Sequence, residues 1–195
     1  MSLPNLYIIS GCNGAGKTTA SYTILPETLN CMEFVNADNI AAGLSPSNPE
    51  SVTFESGRIM LNRIRELMTA QVDFAFETTL ASRSYVSLVK QAQLMGYQTF
   101  LLYFWLGSPD LAIERVASRV SKGGHHIPAD VIVRRYYRGI YNLYNLYMPV
   151  CDEWTLIDNM TLAPEVIAKY DSFGKAIFNK GTWNTMFDRK DHGKI

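Results

Sequence analysis

The sequence lacks several features that mark particular classes of protein. Its three cysteines are odd in number and widely spaced, which argues against a disulfide framework and favours reduced thiols in the cytoplasm. The 18 basic residues equal the 18 acidic ones, whereas a nucleic-acid binder usually carries a basic excess. The longest apolar run, TFLLYFWLG, is too short to span a bilayer, and no charged-then-apolar leader precedes Leu6. We therefore expect a cytoplasmic protein that binds neither nucleic acid nor membrane.

The composition supplies ample material for one folded domain. Of 195 residues, 47% are hydrophobic, which favours a single domain over residues 1–195. Short apolar runs without alternation, typical of strands buried on both faces, alternate with longer amphipathic stretches. The predicted strands are residues 7–10, 33–36, 73–77, 99–106 and 154–158; the predicted helices begin at Gly16 or cover residues 49–69, 82–95, 109–121 and 128–147. We expect a three-layer α/β/α fold with a five-stranded, mostly parallel sheet, followed by a helical tail over about residues 163–195.

The segment GCNGAGKT, from Gly11 to Thr18, matches the phosphate-loop pattern G-x-x-x-x-G-K-[ST] at every fixed position. Glycines let the backbone curl so that successive N–H groups point at phosphate oxygens, and the helix that follows adds the positive end of its dipole. In this pattern Lys17 reaches the β- and γ-phosphates, and the Thr18 hydroxyl ligates Mg²⁺. The predicted nucleotide site consists of Gly11, Asn13, Gly14, Ala15, Gly16, Lys17, Thr18 and Thr19.

Missing motifs disfavour two classes of nucleotide-binding protein. The sequence has no N-K-x-D tetrad, by which GTPases read guanine, and neither the L-S-G-G-Q nor the acidic pair of transporter ATPases. A short chain with an N-terminal phosphate loop and late arginines instead suits a small-molecule kinase. Phosphoryl transfer requires a carboxylate to take the acceptor's proton and cations to stabilise the spreading charge.

Two carboxylates follow predicted strands at the edge where open α/β sheets bind ligands. Asp38 ends EFVNAD and suits a catalytic base, although NADN also reads as a helix cap. Glu77 ends the third strand in FAFETTL, where it could bind Mg²⁺ through water or hold an acceptor hydroxyl with the help of Thr79; a plain strand-end turn is the alternative. For Asp158, at the end of the last predicted strand, a structural or nucleotide-side role is favoured.

The cations of the predicted site lie on both sides of the glycine pair in SKGGHHIPAD. Arg115, Arg119 and Lys122 share one helical face, and Arg134, Arg135 and Arg138 follow the glycines. A cationic helix–hinge–helix can close over ATP and exclude water, so residues of about 115–138 are predicted to form a lid. A cluster of surface arginines is the alternative interpretation.

Four segments together, GCNGAGKTT, NADNIA, FAFETTL and RVASRVSKGGHHIPADVIVRRY, resemble the zeta-toxin family of P-loop kinases. The resemblance covers roughly residues 6–159 with the motifs in the right order. It implies a fold similar to that of nucleotide kinases and transfer of the ATP γ-phosphate to the 3-hydroxyl of UDP-N-acetylglucosamine. An epsilon-type antitoxin normally covers the ATP site of such toxins, which implies a possible antitoxin partner.

The same resemblance implies a role for each matching residue. Lys17 is the phosphate-loop lysine, Asp38 the base, and Arg119 the first lid arginine, while Glu77 and Thr79 contact substrate and the metal environment. The second lid arginine is Arg134 or Arg135, with Arg135 preferred and Arg134 assigned to substrate. A kinase for another small molecule, such as an antibiotic or nucleoside, and a non-catalytic ATP-binding regulatory module are the alternative functions.

Overall fold

The computed structural model describes residues 3–124, 126–161 and 163–187. Residue 125 of the predicted lid and residues 188–195 of the predicted tail lie outside the described residues. The elements follow one another as β1 (Asn5–Gly11), α1 (Lys17–Glu27), β2 (Glu33–Val35), α2 (Ala37–Leu44), a 3₁₀ turn (Pro49–Val52), α3 (Thr53–Ala70), β3 (Phe74–Thr78), α4 (Ser84–Leu94), β4 (Gln98–Trp105), α5 (Pro109–Val120), α6 (Ala129–Asn142), a π-helical turn (Leu143–Tyr147), β5 (Glu153–Asp158), β6 (Glu165–Asp171), β7 (Gly174–Ile177) and α7 (Lys180–Phe187).

The strands form one sheet in the order β2-β3-β1-β4-β5-β6-β7. β1 lies between β3 and β4 and is parallel to both, β2 is parallel to β3, and β4 is parallel to β5. Because these five strands run the same way, their carboxyl ends meet at one edge of the sheet, where open α/β sheets bind ligands. The predicted α/β fold with a mostly parallel sheet is confirmed.

The expectation of five strands was wrong, because two more strands precede α7; they occupy part of the predicted tail, in which α7 is the helical segment. β6 pairs antiparallel with β5, and β7 pairs antiparallel with β6. The turn between them is stabilised at Asp171, whose carboxylate accepts the Phe173 N–H at 2.9 Å, and Gly174 adopts φ +99°. Asp and Gly are the residues that such turns favour. The hairpin lies at the far edge of the sheet, where α7 places Trp183 on Trp154 with their ring centroids 6.2 Å apart.

The central strands are buried on both faces, as their unbroken apolar runs predict. Leu6, Ile8 and Ile9 of β1 are buried, and so are Phe74 and Phe76 of β3. The buried sheet therefore serves as a rigid base for the loops at its carboxyl edge.

In the described part of the chain, no helix combines the length and the apolar character needed to cross a bilayer.

The three cysteine thiols are buried, and this gives a prediction about alkaline stability. Burial raises the pKa of Cys12 and of Cys31 to about 11 and that of Cys151 to about 12. Since an exposed thiol has a pKa of about 8.5, the unfolded chain loses these protons at lower pH than the folded chain. The stabilisation is fully present below about pH 8.5 and is lost as the pH rises through about 11.

Urea unfolding at a series of pH values checks this expectation. The free energy of unfolding should fall steadily above about pH 8.5, and a thiol reagent should label the native protein only slowly below that pH. Rapid labelling of the native protein at neutral pH would contradict the burial of the three thiols.

Candidate active site

The phosphate loop connects β1 to α1 and has the backbone geometry of an anion nest. Gly14 and Gly16 adopt φ of +78° and +79°, a left-handed conformation that a side chain disfavours, and α1 begins at Lys17. Lys17 itself is 6% exposed, and its ammonium group donates to the Cys12 carbonyl at 2.9 Å. A buried cation and the N-terminus of a helix thus meet at one concave loop, which suits a polyphosphate.

Glu77, one residue before the end of β3, is the carboxylate on which the polar groups of this loop converge. Its Oε2 accepts the Thr18 hydroxyl at 2.7 Å and the Asn36 amide at 2.8 Å, and its Oε1 lies 3.5 Å from the Lys17 Nζ. β3 is the direct neighbour of β1, so the register of the sheet brings Glu77 beside the phosphate loop. The sequence predicts a role for this carboxylate but not its contact with Thr18. Transporter ATPases carry an acidic pair after an apolar strand, whereas β3 carries a single acid, Glu77.

Asn36 was missed at the sequence level, and it links Glu77 to α2. Its Oδ1 accepts the N–H groups of Asp38 at 2.8 Å and Asn39 at 3.2 Å, which caps the helix. The two interpretations of NADN are therefore compatible: Asn36 is the cap, and the Asp38 side chain is exposed and lines the same cavity as the phosphate loop.

The loop after β3, which contains Thr79, is held by α6. Leu80 is buried and has φ +56°, a left-handed conformation that is strained for a residue with a side chain. The Asn142 amide donates to the Leu80 carbonyl at 2.7 Å, and a Cβ on Gly139 would lie 2.6 Å from the Thr79 carbonyl oxygen. This close approach fixes the distance between α6 and the end of β3, and Thr79 and the α6 arginines line the same cavity.

Six cationic side chains of the predicted lid line the cavity: Arg115, Arg119, Lys122, Arg134, Arg135 and Arg138. Arg135 is half-buried, and its guanidinium donates to the Asn13 side chain of the phosphate loop at 3.4 Å. Burial lowers the pKa of Arg135, Asp38 opposes that change, and Arg134 adds to it. Arg134 is exposed. Of the two adjacent arginines, Arg135 is thus the one that contacts the phosphate loop.

Arg115 has a different environment from the one its helical face predicts. Its guanidinium donates to the carbonyl oxygens of Asn159 at 2.9 Å and Met160 at 2.7 Å, just beyond β5. The adjacent acid Asp158 accepts the Met160 N–H at 3.0 Å, which is a local turn contact. Asn159, not Asp158, is the residue at the end of β5 that reaches the phosphate loop; nothing in the sequence pattern singled it out.

The glycine pair Gly123–Gly124, between α5 and α6, terminates α5. Gly123 adopts φ +88° and donates its N–H to the Val120 carbonyl at 2.9 Å, while Gly124 donates to the Arg119 carbonyl at 3.0 Å. A Cβ on Gly124 would lie 2.6 Å from the Arg119 side chain. The glycines therefore let the chain reverse tightly against Arg119, which keeps that side chain at the cavity wall.

The catalytic and cationic residues predicted from the sequence line one cavity of about 1100 Å³. Its wall includes the phosphate loop, Asp38, Glu77, Thr79 and the cationic residues named above. The volume is generous for a single small-molecule ligand, for which pockets of about 300–1,000 Å³ are usual. The cavity has room for a nucleotide and a second molecule side by side.

The family model for zeta toxin matches residues 2–146, which is most of the chain. The chain belongs to the zeta-toxin family. An uncharacterized protein of Haemophilus influenzae is 27% identical over 126 residues, which cover 65% of this chain and 88% of that relative. The P-loop kinase fold that the sequence resemblance implies is therefore confirmed.

Two solved structures have folds similar to that of this chain. A chain of the AvrRxo1-ORF1:-ORF2 complex solved with ATP superposes with a TM-score of 0.73 at 16% identity, covering 94% of this chain and 63% of that one. A chain of the PezAT chromosomal toxin–antitoxin system of Streptococcus pneumoniae superposes with a TM-score of 0.61 at 15% identity, covering 84% and 72%. The present chain thus spans less than two thirds of the AvrRxo1 chain, and at such identities the likeness concerns the fold.

Proposed function

We propose that this protein is a Mg²⁺-dependent kinase that transfers the γ-phosphate of ATP to a hydroxyl group of a UDP-sugar, such as UDP-N-acetylglucosamine, or of a related small molecule. The observation that carries the proposal is the shared cavity, in which an exposed carboxylate, Asp38, faces the same space as a phosphate loop and a row of arginines. A hydrolytic motor or switch can also use a carboxylate beside the γ-phosphate, but it has no need of a volume for a second ligand. A kinase needs both.

The phosphate loop binds the nucleotide in this proposal. Its N–H groups and the Lys17 ammonium bind the β- and γ-phosphates. The Thr18 hydroxyl and the Glu77 carboxylate, 2.7 Å apart, are oxygen donors of the kind that Mg²⁺ prefers, so the residues present fit that cation. Bound there, Mg²⁺ would neutralise part of the phosphate charge. Asn36 donates to the same Glu77 oxygen as Thr18 and helps to orient the carboxylate.

The acceptor binds between Asp38, Thr79 and α6. Asp38 takes the proton of the acceptor hydroxyl as the acceptor oxygen forms its bond to the γ-phosphorus, and the bond from that phosphorus to the β–γ bridging oxygen breaks, which releases ADP. Arg119 and Arg135 stabilise the negative charge that spreads over the transferred group. Arg134, exposed beside Arg135, and Glu77 with Thr79 contribute to acceptor binding.

The likeness to two-protein systems supports an antitoxin as a protein partner. One similar fold comes from a toxin–antitoxin system, and the other from a complex of two open reading frames. An antitoxin that covers the cavity would block both ligands at once. This partner, like the UDP-sugar acceptor, is part of the proposal.

Incubation with ATP, Mg²⁺ and a panel of UDP-sugars, nucleosides and aminoglycosides, followed by mass spectrometry, tests the proposed function. The expected product is a UDP-sugar heavier by one phosphoryl group, formed together with ADP. A phosphorylated nucleoside or antibiotic instead would replace the acceptor class and leave the kinase assignment standing. Folded protein that binds ATP but phosphorylates no member of the panel would favour the regulatory module.

A further inference from the structure

Asn159, the first residue after β5, connects the end of that strand, which lies two strands from β1, to the phosphate loop. Its backbone N–H donates to the Trp105 carbonyl of β4 at 3.0 Å, which fixes the start of the loop after β5. Its side-chain amide donates to the Ala15 carbonyl at 2.7 Å. A residue remote in sequence from the phosphate loop thus holds one of that loop's peptide groups.

The peptide group held by Asn159 is the one between Ala15 and Gly16. In a trans peptide the C=O and N–H bonds point in opposite directions, so a carbonyl directed at Asn159 directs the Gly16 N–H the other way, into the nest. Glycine adopts positive and negative φ with similar ease, so this peptide could rotate at little cost without a restraint. The Asn159 amide supplies that restraint. A Cβ on Gly16 would lie 2.6 Å from the same amide nitrogen, so the contact itself requires glycine at that position.

Arg115 in turn fixes the position of Asn159. Its guanidinium donates to the Asn159 and Met160 carbonyls at 2.9 Å and 2.7 Å, so the loop after β5 cannot move away from α5 without losing two charge-assisted hydrogen bonds. α5 also packs directly on the phosphate loop, since a Cβ on Gly14 would lie 2.8 Å from the Ala112 carbonyl oxygen. The phosphate loop, α5 and the β5 loop therefore form a closed set of contacts.

From these contacts we infer that Asn159 is a positioning residue for the phosphate loop, which sets the orientation of the Gly16 N–H for polyphosphate binding, and that Arg115 holds it in place. Asn159 itself is not part of the cavity wall. The inference deepens the proposed function, but it rests only on polyphosphate binding and not on the identity of an acceptor.

Calorimetric titration of the Asn159→Ala variant with Mg·ATP and with inorganic tripolyphosphate tests the inference. Loss of one restraining hydrogen bond should raise both dissociation constants by about tenfold and by the same factor, because the tripolyphosphate shares only the phosphates with ATP. Asn145→Ala is the matched control: its amide also donates to a backbone carbonyl, that of Tyr141 at 2.9 Å, on an exposed helical surface. The control should bind both ligands as the wild type does.

Arg115→Lys provides a second variant that keeps the charge. A single ammonium group cannot reproduce the planar guanidinium fork to two carbonyls, so we expect a smaller rise in both dissociation constants, about threefold. Without nucleotide, the thermal midpoint of Asn159→Ala should match that of Asn145→Ala. Unchanged polyphosphate affinity in both variants would overturn the inference. The inference would also be overturned if the thermal midpoint fell so far that partial unfolding at the titration temperature explained the whole loss of affinity. That result would indicate a purely structural hydrogen bond. Failure of the acceptor panel would leave this result untouched.

Discussion

Replacing Asp38 by asparagine is expected to lower kcat by about 10³ while the Kd for Mg·ATP stays unchanged. The amide has the shape of the carboxylate but cannot take a proton from an acceptor hydroxyl. The backbone N–H of residue 38 would still donate to Asn36, so α2 keeps its cap. Because the substituted side chain is exposed at the cavity wall, the folded structure should tolerate the change. Single-turnover transfer to the acceptor found in the panel, with Kd from calorimetry, measures the two quantities separately.

Asp110→Asn is the matched control for Asp38→Asn. Asp110 is likewise an exposed acid in the first turn of a helix, α5, but it is not part of the cavity wall. Its variant should transfer phosphate at the wild-type rate. Transfer by Asp38→Asn at the control's rate would remove the assignment of Asp38 as the base and leave the rest of the site intact. A parallel loss of ATP affinity would show instead that Asp38 acts on nucleotide binding.

The parallel part of the fold could be predicted because each central strand is a continuous apolar run. In helix α3 the sequence pattern predicts an apolar face of Ile59, Leu61, Ile64 and Leu67; Ile64 and Leu67 are buried, whereas Ile59 and Leu61 are half-buried. The spacing of apolar residues thus locates the helix but does not identify every residue of its buried face. The hairpin β6–β7 was mistaken for helix because its strands carry charged residues and lack a continuous apolar run, although the Asp171–Gly174 turn was a usable signal.

The sequence predicts those parts of the site that are contiguous in the chain or that lie at the end of a strand. Glycines and Lys17 form one motif, and Asp38 and Glu77 follow strands whose carboxyl ends must meet. The contacts that organise these parts join distant residues, such as Asn36 with Glu77 and Asn159 with Ala15. An asparagine has no distinctive spacing, and its role depends on the carbonyl or carboxylate it faces. Only the folded chain defines that neighbour.

Replacing Arg135 by alanine is expected to lower kcat by about 10³, as for arginines that stabilise a transferred phosphoryl group. The guanidinium lies beside Asn13 at the phosphate loop and is half-buried, so its interaction with phosphate charge is less screened than that of an exposed residue. Arg134→Ala should have a much smaller effect on kcat, because Arg134 is exposed, and should act mainly on the KM of the acceptor. This comparison decides which of the two adjacent arginines serves the transferred group.

Two further variants make the Arg135 result interpretable. Arg135→Lys should recover only part of the rate, since an ammonium group supplies the charge without the planar fork. Arg65→Ala, which removes an exposed arginine that donates to Asn62 within α3, should be inert. If Arg134→Ala lost the rate and Arg135→Ala kept it, the catalytic arginine would be the exposed one. The half-buried Arg135 would then act only as a contact between α6 and the phosphate loop, and closure of the lid would have to bring Arg134 from the cavity wall to the transferred phosphate.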